Sequence, residues 1–429
     1  MSHAPRFPWS GQNSETRLEA SLARLEAEAT ASAVFTKALP DRARTQAKAA
    51  AAKASPLSGA LISVKALFDV KGETTTAAAK VLQNEAPASA DAPAIARLDD
   101  AGGVFVGITN MSEFAYSGLG LNPHYGTPHN PTYPGCVPGG STSGGAASVA
   151  QGLVDIAIGS DTGGSLRIPA AFCGITGFKP TQASVSREGG KPLSDSLDSF
   201  GPMARTVAEC ELVWQMMAGQ PVVPSEPAKA RLVVPRNFGF SEMDEVIADG
   251  FEDLLVQLRD VGFEIVERDL ECISLYEQVP PWHMTSVESR AHYEALFQTA
   301  ADQMDRRVHS RMARANEISA VEYRQTINRR QKLIAAFREE LGDDLLILPT
   351  TPILPPRLEA VTDDADFNRL NLLALRNPSL ANVTDACSIA MPYKNDGHTL
   401  SVMLVAKGGS DQKLLAVAKT VEAALPQAE

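Results

Sequence analysis

The chain has 429 residues, 44% hydrophobic and 21% charged, proportions of a folded globular protein that exclude a disordered or fibrous one. A formal net charge of −12 leaves no large basic surface to neutralise phosphates, so direct nucleic-acid binding is not expected. No apolar run reaches the roughly 18 residues of a membrane span, and no basic-then-apolar secretory pattern follows Met1. Five scattered cysteines without CxxC spacing suit a reducing cytoplasm rather than a disulfide or zinc framework.

In chain order, helical periodicity opens after Ser14, read as an N-cap, with Leu18, Leu22 and Leu25 on one face. An alanine-rich stretch from Asp41 to Ala54 continues it, making residues 1–56 a helical lead-in. From 57 to 219 short apolar runs (Ala60 to Val64, Val104 to Ile108, Val154 to Ile158) alternate with helical patterns and Gly/Ser-rich turns. That alternation predicts an α/β fold with a substantially parallel sheet. Strand-like Arg231 to Val234 and Phe263 to Val266 bracket a helical Glu242 to Asp260. Residues 284–341 are polar, Arg-rich and helical in period, reading as surface helices or a cap over a cleft. Strands return at Leu345 to Leu348 and Thr399 to Val405, and a last helix is capped by Ser410. No repeat or linker cuts the chain, so 1–429 reads as a single domain.

The densest local signal is Gly139-Gly140-Ser141-Thr142-Ser143-Gly144-Gly145, followed by Gly159-Ser160-Asp161-Thr162-Gly163-Gly164-Ser165-Leu166-Arg167. The plain reading is two tight turns whose serines cap helices. A phosphate loop is excluded, because neither GxxxxGK[ST] nor GxGxxG spacing is present. The chemical alternative is hydrolysis of an acyl bond, which needs a nucleophilic hydroxyl, a base, and N–H donors aimed at the developing oxyanion. Thr162-Gly163-Gly164-Ser165 offers a serine nucleophile with consecutive backbone N–H groups free of bulky side chains.

The base is not an obvious histidine. His3 is terminal, His124 and His129 lie in a Pro-rich loop, His283, His292 and His309 in the helical region, and His398 in a late turn. No G-x-S-x-G elbow is present, and the one S-x-x-K, Ser410 to Lys413, reads as a helix cap. Lys65 stands alone in the apolar run from Ala60 to Phe68. It either snorkels to the surface from a strand end or is buried, and in the second case desolvation makes it a neutral base near pH 7.

Lys65, then 139–144, then Gly159 to Gly174, then Gly177-Phe178-Lys179-Pro180-Thr181 and Leu197 to Thr206, resemble the amidase-signature family in order and spacing. The resemblance implies Ser165 as nucleophile, Ser141 as a bridging serine entered through a cis peptide bond, and Lys65 as general base. It also implies an oxyanion hole from Thr162, Gly163, Gly164 and Ser165, and a single α/β/α domain whose mixed, twisted central sheet is flanked by helices. No metal or cofactor and frequent homodimers are implied as well. The sequence departs from many relatives at Ala66 and Leu67, where an acidic or polar residue is common, and at Thr142 with Ser143, which lengthen the serine run. Ser141 keeps the bridging role because its separation from Ser165 matches the family; Ser143 becomes a nearby hydrogen-bonding support. Asp161 and Arg167 either hold the loop together as an ion pair, or Arg167 takes a substrate carboxylate.

Residues 109–118 resemble the family's substrate loop, with Met111, Phe114, Tyr116 and Gly118 as lining or, equally, as core. Trp282 and His283 are further selectivity candidates. The resulting expectation is a stand-alone amidase acting on a small-molecule amide. The alternative is the glutaminase (A) subunit of a tRNA-dependent amidotransferase complex. Those subunits are usually longer, and Arg376-Asn377-Pro378-Ser379 does not match their glutamine site.

Overall fold

In the computed structural model, which describes residues 7–28 and 33–426, one sheet organises the chain. Its strands are β1 (Phe35–Ala38), β2 (Leu61–Lys65), β3 (Val104–Thr109), β4 (Ile156–Asp161), β5 (Thr176–Lys179), β6 (Ser199–Ala204), β7 (Leu232–Pro235), β8 (Ile265–Arg268), β9 (Leu345–Pro349), β10 (Cys387–Asn395) and β11 (His398–Ala406). They lie in the order β1-β3-β2-β4-β6-β5-β10-β11-β9-β7-β8. β2 runs parallel to β3 and β4, and β7 parallel to β8 and β9; every other pairing is antiparallel. The sheet is thus mixed, as the family resemblance implies, and less parallel than the alternation of runs suggests. Part of the reason is the β10–β11 hairpin, closed by Asp396-Gly397 with positive φ at both residues, as a tight type I′ connection requires.

The helices are α1 (Ser14–Ala27), α2 (Pro40–Ala50), α3 (Pro93–Asp100), α4 (Ser143–Ala150), α5 (Arg167–Cys173), α6 (Val207–Met217), α7 (Glu245–Asp260), α8 (Ile273–Tyr276), α9 (Pro281–Thr299), α10 (Arg306–Ala313), α11 (Ala320–Leu341), α12 (Asp364–Val383) and α13 (Asp411–Ala424). The lead-in is not one continuous helical stretch. β1 interrupts it, and Pro40 in the first turn of α2 starts a new helix where its missing N–H costs nothing. Nor does Ser14 cap α1. Asn13 does, accepting from Thr16 N at 2.9 Å, while Ser14 Oγ is turned inward onto Ala47 O.

Alternation along the strands sends their side chains to opposite faces. Ile62 and Val64 of β2, Phe105 of β3 and Ile158 of β4 join a core with Ile95, Val213, Leu254 and Leu414 of α3, α6, α7 and α13. Leu61, Val106 and Ala157 point the other way, against Leu18, Ala47, Ala146 and Ala170 of α1, α2, α4 and α5. Farther along the sheet, Val233, Leu346 and Met403 pack on Leu333 and Phe337 of α11 and Leu380 of α12. Helices therefore cover both faces of the sheet. The same alternation puts Ser63 and Lys65 on the α4 side, where Ser63 Oγ meets Ser148 Oγ of α4 at 3.0 Å.

Candidate active site

Lys65 is the last residue of β2, paired in parallel register with Thr109 at the end of β3. Its side chain has no exposed surface and ends on two serines: Nζ donates to Ser141 Oγ at 2.8 Å and to Ser160 Oγ at 2.9 Å. A second buried lysine, Lys179, ends on the carbonyl of Pro180 instead. Burial lowers the Lys65 amine to a pKa of about 7, because a charge there has lost its hydration; Asp161 and Asp198 pull weakly the other way. Ser160 belongs to β4 and Ser141 to the glycine-rich turn before α4, which the chain enters through a cis peptide bond between Gly140 and Ser141. A side chain at Gly140 would meet Gly120 N and Ser117 O at 2.6 Å, so only glycine lets the two loops close on each other.

Ser165 stands between β4 and α5, and is 3% exposed. Its backbone carbonyl accepts from Thr142 N at 3.3 Å, which joins the two serine-bearing loops directly. Its Oγ makes no hydrogen bond to any described residue, Ser141 included. The loop is held from below by a fully buried ion pair: Arg167 Nε and Nη2 donate to Asp161 at 3.0 and 2.9 Å. Arg167 also donates to Pro378 O and Asn382 Oδ1, and Asn382 returns a bond to Asp161. Its donors are thus taken within the protein, and Arg167 has no exposed surface. Burial pushes the Asp161 carboxyl up, but Arg167 outweighs it and holds the group well below the usual carboxylate range.

Among the four N–H groups expected to face an oxyanion, Gly164 is the exception. Its N–H donates to Asp161 Oδ1 at 2.8 Å and is committed to bracing the loop. Those of Thr162, Gly163 and Ser165 have no acceptor among the described residues. Thr162 Oγ1 donates to Asp198 Oδ1 at 2.6 Å, which fixes the corner of the loop.

A family model for amidases matches residues 17–415. This chain belongs to the amidase family. 2-Amino-5-chloromuconic acid deaminase of Comamonas testosteroni is 32% identical over 383 residues, 87% of this chain and 83% of that one. The A component of the glutamyl-tRNA(Gln) amidotransferase of Methanothermobacter thermautotrophicus is 30% identical over 391 residues, 85% and 84% of the two chains. The crystal structure of an amidase superposes with a TM-score of 0.87 at 29% identity, over 96% of each chain. The α/β architecture is that of the amidases, and the activity class is amidohydrolase.

The remaining residues singled out in the sequence fall in several places. Met111, Phe114 and Tyr116 are buried. Phe114 packs on Tyr293 with ring centroids 4.5 Å apart, and Tyr116 OH bonds Thr285 O and Ser289 Oγ, so both are core contacts that pin the loop to α9. Gly118 does border the site, accepting from Gly140 N at 2.8 Å. Ser143 is not the hydrogen-bonding support expected of it: its Oγ is buried and has no partner among the described residues, because the residue opens α4 and its side chain is carried into the turn. Trp282 and His283 pack edge to face on each other, with Arg314 over the indole and Thr326 on the imidazole. Lys413 pairs with exposed Asp343, and Ser410 occupies the N-cap position of α13 but its side chain makes no capping hydrogen bond, so the cap expected there is positional only.

Sequence reasoning missed α12. Its Asn371 accepts from Ser117 Oγ and Gly118 N, and Ser379 Oγ donates to Gly163 O at 3.2 Å. A Cβ at either Gly118 or Gly163 would lie within 3.4 Å of half-buried Leu375, so α12 packs against both the Gly118 loop and the Gly163 turn. Among the described residues no three His, Cys, Asp or Glu side chains cluster as a metal site would need, and no helix is long and apolar enough to cross a membrane.

Proposed function

We propose that this amidase hydrolyses a carboxylic amide C–N bond through an acyl-enzyme on Ser165, with Ser141 as proton relay and Lys65 as general base. The observation that carries the reading is the buried 2.8 Å contact between Lys65 Nζ and Ser141 Oγ, at an amine whose pKa of about 7 leaves much of it neutral at physiological pH. Ser165 Oγ attacks the carbonyl carbon, and its proton passes to Ser141 while the Ser141 proton passes to Nζ. The carbonyl oxygen, now an oxyanion, is met by the N–H groups of Thr162, Gly163 and Ser165. Loss of one such donor costs about 3–4 kcal/mol in comparable sites.

The C–N bond then breaks as the relay runs in reverse and protonates the leaving nitrogen. Water repeats the cycle on the ester, releasing the carboxylate. In this scheme the Ser141–Ser165 link closes when substrate seats, consistent with catalytic hydrogen bonds that tighten only in the Michaelis complex. The substrate lies beside Gly118 and the α12 residues Asn371, Leu375 and Ser379. A cytoplasmic homodimer completes the reading, and its dimeric state is checked by size-exclusion with light scattering.

The test is a mass-spectrometric panel of small amides run on wild type and Ser165→Ala. Turnover of at least one amide by wild type and none by the variant is expected; equal turnover by both would sink the assignment. A second reading is favoured by the amidotransferase relative: a glutaminase component that hands ammonia to a partner. It predicts glutamine as the substrate and activity only with added partner proteins.

A further inference from the structure

Glu288 of α9 is a buried carboxylate, 6% exposed, and no Lys, Arg or His forms an ion pair with it among the described residues. Four donors surround it instead. Ser194 Oγ and Ser196 N (3.0 Å) reach Oε2, and Ser196 Oγ (2.6 Å) and Tyr323 OH of α11 (2.7 Å) reach Oε1. A carboxyl group buried this deeply needs hydrogen bonds to replace its hydration, so this set has to stay together.

What Glu288 grips is the turn 193–198. From the other side Asp198 grips the same turn, accepting from Leu193 N at 2.9 Å and Ser194 N at 3.1 Å. The remaining oxygen of Asp198 takes Thr162 Oγ1 at 2.6 Å, three residues before Ser165. α9 adds two more ties, His292 Nε2 to Asp195 Oδ2 at 2.7 Å and Tyr293 OH to Pro192 O at 2.8 Å. Its Ser289 and Tyr293 meanwhile hold Tyr116 and Phe114 of the loop on the other side of the site.

We infer that Glu288 is a positioning residue for the amidase reaction, setting the Thr162 corner of the oxyanion loop through the 193–198 turn and Asp198. The helices of 284–341 thereby act on catalysis at a distance, as well as covering the protein. Glu288 touches no reacting atom; its effect passes through Thr162, whose N–H faces the oxyanion. Small displacements of such a donor are felt in the chemical step, because misplacement by about 1 Å costs about 100-fold in favourable cases.

The inference rests on Ser165 being the nucleophile, and the experiment separates the two. A fluorophosphonate probe is titrated against wild type, Ser165→Ala, Glu288→Gln and Tyr323→Phe in the full chain, reading the maximal labelling rate and the half-saturating concentration separately. Glu288→Gln should lower the maximal rate by at least about tenfold with half-saturation nearly unchanged, the pattern of a lost transition-state contact. Tyr323→Phe removes one of the four donors, so it should shift the rate in the same direction by less. It also keeps the test open should Glu288→Gln fail to fold. A folded Glu288→Gln labelled at the wild-type rate, or Tyr323→Phe indistinguishable from wild type where Glu288→Gln does not fold, overturns the inference. Absence of wild-type labelling at Ser165 overturns the catalytic reading beneath it.

Discussion

Replacing Lys65 by methionine should flatten the rise of stability with pH on the alkaline side. Burial brings the amine from 10.5 down to about 7 in the folded chain. Between those values the unfolded chain still holds a proton that the folded chain has released, so folding gains stability as pH rises, by about 1.4 kcal/mol per unit. Below pH 7 both states are protonated, and the contribution is flat at its least favourable level. The stability of wild type minus that of Lys65→Met should therefore grow by about 2 kcal/mol from pH 7 to pH 9, the first unit counting for less because the folded amine is only half titrated at pH 7. Methionine also leaves the Ser141 and Ser160 hydroxyls without this partner, at about 1–3 kcal/mol each, an offset that does not change with pH. Urea melts of both proteins at pH 6, 7, 8 and 9 measure the difference, and other titrating groups cancel in it. A difference constant within about 0.5 kcal/mol would mean that Lys65 keeps its proton up to the ordinary lysine range.

Three further outcomes are expected. Gly164→Ala places a Cβ 2.7 Å from both Ile168 Cδ1 and Pro378 Cβ at a residue with φ of +128°, so urea melts should show a loss of about 2–4 kcal/mol, with labelling of Ser165 slowed. Arg167→Met strands the buried Asp161 carboxylate, and thermal or urea unfolding should register a loss of about 3–5 kcal/mol. Ser143→Ala removes a buried hydroxyl with no partner among the described residues, so melts should move by less than about 1 kcal/mol, toward stability if at all. A loss of about 2 kcal/mol or more there would show that the hydroxyl is hydrogen bonded.

Lys65 was legible because an isolated lysine in an apolar strand has few explanations, and the strand ends on it. Ser141 and Ser165 were singled out by the amidase-signature resemblance, since the glycines around them read by themselves as tight turns; the loop contacts at Gly140 and Gly164 show why small residues stand there. β5 and β6 were not read as strands: Gly177, Gly201 and Pro202 lower their local preference, and their membership is decided by pairing with neighbours distant in sequence. α12 escaped for a related reason. Pro378 interrupts its helical pattern, and the value of Pro378 O, Ser379 and Asn382 lies in contacts with Gly163, Asp161 and Arg167, more than two hundred positions away. The commitment of the Gly164 N–H to Asp161 is likewise a matter of where a carboxylate folds back, which spacing alone does not encode. Glu288 carries no motif at all; only the turn it grips gives it meaning.

The account turns on an uncharged amine at Lys65. An NMR titration of lysine Nζ in 15N-lysine-labelled protein, with the Lys65 signal identified by its absence from Lys65→Met, reads that charge directly. A midpoint near 7 is the predicted result. A midpoint near 10.5, that of a lysine in water, would contradict it.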